Sequence, residues 1–379
     1  MSNDRNAHQT YLATRHFGSL DGLRFIAISA VIWHHTPIWE GLTDVSVLFA
    51  RGHTGVDLFF VLSGFLITTL LLREEVTRGA FSLTAFYWRR ALRIIPIYFL
   101  VISIAAFYAI VLKGRTQDLE ILPYYFLFLS NFLKVEDIGF LAPTWSLSME
   151  EQYYLIWPAL LLLVPRRWIL PVLGGLILAN VLGAMGLYEW LGLLPIDGQH
   201  LRFEICCTTY APILMGSLCA LLLNSPRGFA ALRALTGFRI APWLWFAALL
   251  TALAAFPGAL EGLPNLVVHS LMCLMLVSLV IREDNGMAPL LTLPPIERIG
   301  QISYGIYLYH LFALAIVTKT FEVLGLTGWG WVLPLYYALA ILIAEISFRS
   351  FEAWFLRFRK RGPGRGAVAA SGKTDLTSS

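Results

Sequence analysis

Apolar residues run in long stretches along this chain, near 20–38, 53–72, 91–112, 121–133, 146–165, 168–189, 205–223, 241–256, 265–281, 299–318 and 329–349. Crossing about 30 Å of hydrocarbon takes about 20 helical residues, so the longer stretches predict membrane-spanning helices. The fourth, ILPYYFLFLSNFL, has thirteen residues and is too short to cross. Loop charge agrees. With that segment not crossing, 21 Lys and Arg fall on the side that holds both termini and six on the other, and the positive-inside rule makes the first side cytoplasmic. If it crossed, everything after residue 133 would invert, and Arg166, Arg167 and the basic 227–239 loop would face outward. The expectation is an all-α polytopic membrane protein with ten transmembrane helices, one non-spanning segment at about 121–133, and both termini cytoplasmic.

Composition fits that class: 58% of the 379 residues are hydrophobic and 14% charged. The net charge of +4 is small and its distribution is topogenic, so no nucleic-acid partner is expected. Cys206, Cys207, Cys219 and Cys273 lie in apolar segments without metal-ligand spacing, and read as small core residues with no metal. Residues 1–16 read as a polar cytoplasmic tail too long for the start of a cleaved leader, 17–357 as the membrane domain, and 358–379 as a disordered tail rich in small and polar residues.

Ionisable groups inside apolar runs need a reason to be there. Arg24 and His35 lie eleven residues apart, almost three helical turns, so they share a face at about 16 Å separation. Arg89, Arg90 and Arg93 enter the third span from the cytoplasmic side as Arg24 enters the first; arginine forks match phosphate oxygens, although topogenic charge explains any one of them equally well. Glu150 and Glu151 sit about one turn inside the fifth span, where a carboxylate needs a partner, a proton or a wet cavity. Asp57 starts the second span, with Gly52, Gly55 and Gly64 permitting close helix approach. Trp145 and Tyr154 read as interfacial anchors or sugar platforms, and Tyr307 and His310 share a face in the ninth span. Ser63 lacks a nucleophile-elbow setting, so no serine hydrolase is indicated. Glu345 and Glu352 read as helix-end pairing.

LDGLRFIAISAVIWHH, GVDLFFVLSGFLI, RRALRIIPIY, TWSLSMEEQYYLIWP and ISYGIYLYH, in that order, resemble the acyltransferase-3 family of integral membrane acyltransferases over about residues 17–357. The resemblance implies a ten-helix domain in the bacterial plasma membrane that moves an acyl group, commonly acetyl from acetyl-CoA, to a hydroxyl of a cell-envelope carbohydrate or another hydroxylated acceptor. It implies functional roles for Arg24, His35, Arg89, Arg90 and Arg93. Two stretches depart from the family's pattern: its usual E-x-P reads Glu352-Ala353-Trp354, and Thr208-Thr209-Tyr210 stands where an arginine often follows the threonine. The C-terminal SGNH esterase-like domain of many members is not expected here.

The expected chemistry is acyl-CoA docked by Arg24, Arg89, Arg90 and Arg93, with His35 as general base or acyl-imidazole relay. Glu150 or Glu151 would orient the imidazole, and Asp57, Trp145, Tyr154, Tyr307 and His310 would line the acceptor side. The rival reading is a transporter or flippase for an envelope precursor, because polar groups at graded depth also describe a permeation path.

Overall fold

The computed structural model describes residues 2–36, 47–134, 138–204, 210–256, 260–326 and 329–361; Cys206, Cys207, Thr208, Thr209 and the tail from Gly362 lie outside these. In chain order the helices of eight residues or more are α1 (Ser2–Ala13), α2 (Ser19–His34), α3 (Thr54–Arg78), α4 (Leu83–Ala106), α5 (Thr144–Leu163), α6 (Arg166–Ala184) and α7 (Ala211–Asn224). They continue as α8 (Pro226–Thr236), α9 (Ala241–Ala255), α10 (Gly262–Val280), α11 (Pro294–Gln301), α12 (Ser303–Leu324) and α13 (Val332–Ser347). Six helical stretches among the described residues are long and apolar enough to cross a membrane, and a seventh is counted if α7 and α8, bent by 110°, are taken together. The chain is an all-α membrane protein.

Local chemistry sets the helix ends that matter for the site. Gly79, at φ +77°, closes α3 in the left-handed conformation that glycine adopts without strain. Ser82 then caps α4 by accepting from the Ala85 N–H at 3.2 Å. The apolar run expected over 20–38 stops being helical at His34, and His35 is the C-cap. Pro37, two residues on, has no N–H to donate back to Trp33 and disfavours helical geometry in Thr36. His35 therefore stands at the far end of α2, beyond its last helical residue.

Helix α3 is the centre of the bundle. Val56, Phe60, Ile67 and Leu71 pack into one apolar core, and Leu58, Val61, Leu62 and Phe65 into the other. Its glycines allow backbone contact: a Cβ on Gly64 would lie 1.8 Å from the Ile213 carbonyl oxygen of α7, and one on Gly55 would lie 2.4 Å from that of Ala27 on α2. Small residues at such crossings are what membrane helices use where no water drives association. Outward-facing Leu155, Ile156, Leu162 and Leu163 give α5 an apolar face suited to lipid.

The 121–133 segment is broken, with a helix only at Leu122–Phe126, a single turn at Ser130–Phe132, and Phe128 between them at φ +55°. It is wedged between α4 and α5: the Tyr98 hydroxyl donates to the Tyr125 carbonyl at 2.9 Å and Gln152 donates to the Phe128 carbonyl at 2.7 Å. Nearby, Ile196–Asp197 and Arg202–Phe203 form a two-residue antiparallel ladder, joined to the segment by Lys134 and Asp197 at 3.0 Å.

The N-terminal segment, expected as a tail, folds as α1 and docks on α8. His8 and Tyr11 are buried against Phe229, and Arg233 reaches Asp4 at 2.6 Å. Arg73 covers the Phe17 ring at 4.9 Å. Burial pushes the Tyr11 hydroxyl up to about 12, so it stays neutral beside that arginine.

Candidate active site

A cavity of about 1330 Å³ opens where α1, the ends of α3 and α7, the start of α4 and the Arg357–Arg361 turn converge, and it runs inward along α3, α5 and α12. Eight arginines and two carboxylates line it, so its field attracts anions. The sequence places Arg89, Arg90 and Arg93 on α4, and Arg24 joins them from α2 in the same wall. Their partners differ. Arg24 is ion-paired with Asp21, and Arg89 with Glu74 at 2.9 Å. Arg90 lies over the Tyr154 ring at 5.1 Å. Arg93 is exposed, with its surface turned into the cavity.

Deeper in, Ser63 Oγ and the Tyr154 hydroxyl both donate to the same carboxylate oxygen of Glu150. Tyr154 also reaches Ser63 at 3.1 Å. These are the charge-assisted hydrogen bonds that allow a carboxylate to remain at this depth. Of the adjacent pair, Glu150 lines the cavity, while the 100° step along α5 turns Glu151 away from that lining. Tyr304 lines the same stretch, and its buried hydroxyl has no hydrogen-bond partner among the described residues. The surplus of guanidinium groups at the mouth suits an anionic ligand such as one that carries phosphate.

Tyr307 forms the inner end. Its hydroxyl donates to the Pro143 carbonyl at 3.0 Å and meets Ser146 Oγ at 2.7 Å, one turn before Glu150 on α5. Behind it the His310 ring is 5.6 Å away, and the His35 ring is 4.8 Å beyond that. Both imidazoles place Nδ1 against a carbonyl, His35 on Val31 at 2.9 Å and His310 on Tyr307 at 2.6 Å. A carbonyl only accepts, so Nδ1 carries the proton in each and Nε2 keeps its lone pair. His35 thus has a free basic nitrogen behind the cavity wall, with the rings of His34 and His310 beside it, whereas Glu150 is engaged with Ser63 and Tyr154.

The remaining candidates stand behind the lining. Trp145 packs edge-on against Phe60, a cavity residue, at 6.2 Å. Asp57 is paired with His269 of α10 at 3.4 Å. Glu345 takes a two-point fork from Arg298 at 3.0 Å, whereas Glu352 is buried beside Ser347 in a wide helical turn next to α4. Sequence reading passed over Ser63 and Tyr304 as site residues. Ser63 was judged against a hydrolase motif, and its carboxylate partner lies 87 positions away; the signal that could have found it is its placement on the same α3 face as Val56 and Phe60.

The acyltransferase-3 family model, described as an acyltransferase domain, matches residues 17–347. Relatives include the peptidoglycan O-acetyltransferase OatA of Listeria monocytogenes, 28% identical over 90% of this chain and 56% of the relative. A candidate O-acetyltransferase of Staphylococcus aureus is 27% identical over 93% of this chain and 59% of its own length. A candidate peptidoglycan O-acetyltransferase of Bacillus subtilis, YrhL, is 27% identical over 89% and 54%. The chain therefore spans somewhat more than half the length of these curated relatives. No solved structure matches it.

Proposed function

Because the chain belongs to the acyltransferase-3 family, we propose that it is an integral membrane O-acetyltransferase that moves acetyl from acyl-CoA to a hydroxyl of a cell-wall carbohydrate. The observation that carries this reading is a cavity with arginines at its mouth and the Glu150, Ser63 and Tyr154 cluster at its depth. Arg90 and Arg93 would hold the phosphates of acyl-CoA, supported by Arg24 and Arg89, and the acyl end would reach Tyr304 and Glu150. Arg24 and His35 mark a depth of about 16 Å along α2, a span comparable to a pantetheine arm.

In the transfer step the thioester C–S bond and the acceptor O–H bond break as the ester C–O bond forms. Sulfur leaves as thiolate, and in direct attack the acceptor proton goes to His35 Nε2. In a relay Nε2 first bonds the acyl carbon as the C–S bond breaks, and the acceptor oxygen then displaces it, leaving Nε2 to take the acceptor proton. Tyr307 stands between the cavity and the imidazoles, so it must swing aside to pass the acyl group. Glu150 would keep Ser63 and Tyr154 oriented along this route.

The topology in this reading has ten spans with both termini cytoplasmic, in the bacterial plasma membrane. The helices α2, α5, α7 and α9, about 21–30 Å long at 1.5 Å per residue, would complete the count beyond the six stretches long and apolar enough to cross. Acetyl-labelled acetyl-CoA supplied to inverted vesicles tests the function. An alkali-labile acetyl ester on envelope carbohydrate is expected; movement of unmodified precursor without label would instead establish a transporter.

A further inference from the structure

The imidazole pair described above is the buried end of a longer series. The His34 ring lies 5.1 Å from His35, and the His53 ring 5.4 Å from His34. His310 is buried and its Nε2 has no hydrogen-bond partner among the described residues, His35 and His34 are half-buried, and His53 is exposed. All four share one feature of bonding. His34 and His53 both place Nδ1 on the Ala50 carbonyl, at 3.1 and 3.2 Å, as His35 and His310 place theirs on Val31 and Tyr307. Each neutral ring therefore keeps its lone pair on Nε2. His53 directly precedes α3 and Arg78 ends it, a helix about 37 Å long. The series thus leads away from the arginine mouth to the opposite surface.

We propose that His310, His35, His34 and His53 form a proton path from the reaction centre to the surface opposite the arginine-lined mouth. This rests on the acyl-transfer reading. The proton that leaves the acceptor hydroxyl protonates His35 Nε2. It then passes to the Nε2 lone pair of His34, on to that of His53, and to water, over ring separations that direct or single-water transfer can bridge. His310 offers a second lone pair beside His35 and shares the added charge. The thiolate takes its proton from water on the arginine side. Each acetyl transferred therefore consumes one proton at the mouth and releases one at the opposite face.

The helices packed against this series carry few competing charges among the described residues. Arg51 donates to the Phe256 carbonyl at 2.7 Å, Asp57 is paired with His269, and Tyr307 faces His310. Tyr337 of α13 meets α2 at Ser29, at 2.7 Å. Among the described residues these four imidazoles are not in a group whose ligand atoms converge closely enough for one metal ion. The group of described residues whose ligand atoms converge closely enough is His16, Asp21 and Glu297, where Asp21 already pairs with Arg24.

The test uses full-length protein in sealed vesicles with the mouth outward, labelled acetyl-CoA outside, and an N-acetylhexosamine oligosaccharide with a trapped pH dye inside. Wild type should acidify the interior by one proton per acetyl ester formed. His34→Phe and His53→Phe, which keep a ring and remove the nitrogens, should each lower turnover roughly tenfold in weak buffer with an unchanged KM for acetyl-CoA. Imidazole trapped inside should restore them, whereas imidazole outside should not. Turnover within about twofold of wild type in both variants, or a loss that imidazole leaves untouched, would overturn the path alone. No labelled ester from wild type would overturn the acyl-transfer reading and the path with it.

Discussion

The two ends of the site are built from opposite kinds of polar group. At the mouth the arginines are permanent cations, some tied to Asp21 and Glu74 and others, such as Arg93, turned into open volume. At the far end the polar groups are imidazoles, His310 buried and His35 half-buried, that hold their Nδ1 protons on backbone carbonyls and keep one lone pair free. Permanent charge suits holding a polyanion, and a neutral, titratable nitrogen suits taking a proton. Tyr307 divides the two regions. In the proposed reaction donor binding belongs to one end and proton handling to the other, and each role can be broken separately.

The sharpest break is at the far end. His35→Ala should reduce acetyl transfer by about a thousandfold or more while leaving acetyl-CoA binding and the detergent melting temperature near wild type. A near wild-type rate would remove His35 from the chemistry. Between the two ends, Glu150→Gln keeps the shape but weakens the hydrogen bonds from Ser63 and Tyr154, and turnover should fall about a hundredfold with little change in KM. A change confined to KM would move Glu150 to the donor-binding end.

How much of this was legible in the sequence follows from range. The Arg24 to His35 register was readable because three turns of one helix fix it, and the α3 glycines were readable because only small residues allow backbone approach. That residues 121–133 are too short to span could be read from length, but the break into Leu122–Phe126 and Ser130–Phe132 could not. Pairings across helices were not readable: Ser63 with Glu150, Asp57 with His269 and His35 with His310 depend on the rotation of each helix, which no local pattern encodes. The helix end at His34 was not readable from hydropathy either, because the apolar run continues to residue 38.

At the mouth the expected effects are smaller. Arg93→Ala should raise the acetyl-CoA KM about tenfold with turnover largely kept, and Arg90→Lys should recover only part of what Arg90→Ala loses, because lysine lacks the planar fork that both stacks on Tyr154 and grips phosphate. Equal kinetics for Arg93→Ala and wild type would mark that arginine as topogenic. The smallest effect belongs to the divider. Tyr307→Phe removes the hydrogen bonds to Pro143 and Ser146, costing about 1 kcal/mol in a thermal or denaturant melt. If Tyr307 gates the passage, the same change should leave the acetyl-CoA KM alone and alter turnover only modestly.

The central claim is that acyl-CoA occupies the arginine-mouthed cavity with its acyl end at the Glu150 level. A non-hydrolysable CoA thioether carrying a photoreactive acyl group, cross-linked to the purified protein and mapped by peptide mass spectrometry, tests this most directly. Label within Phe59–Ser63, Ser146–Tyr154 or Tyr304–Tyr307, lost when Arg90 and Arg93 are both replaced by Ala, is the predicted result. Label confined to the lipid-facing sides of α5 and α6, or label unaffected by loss of those arginines, would contradict it.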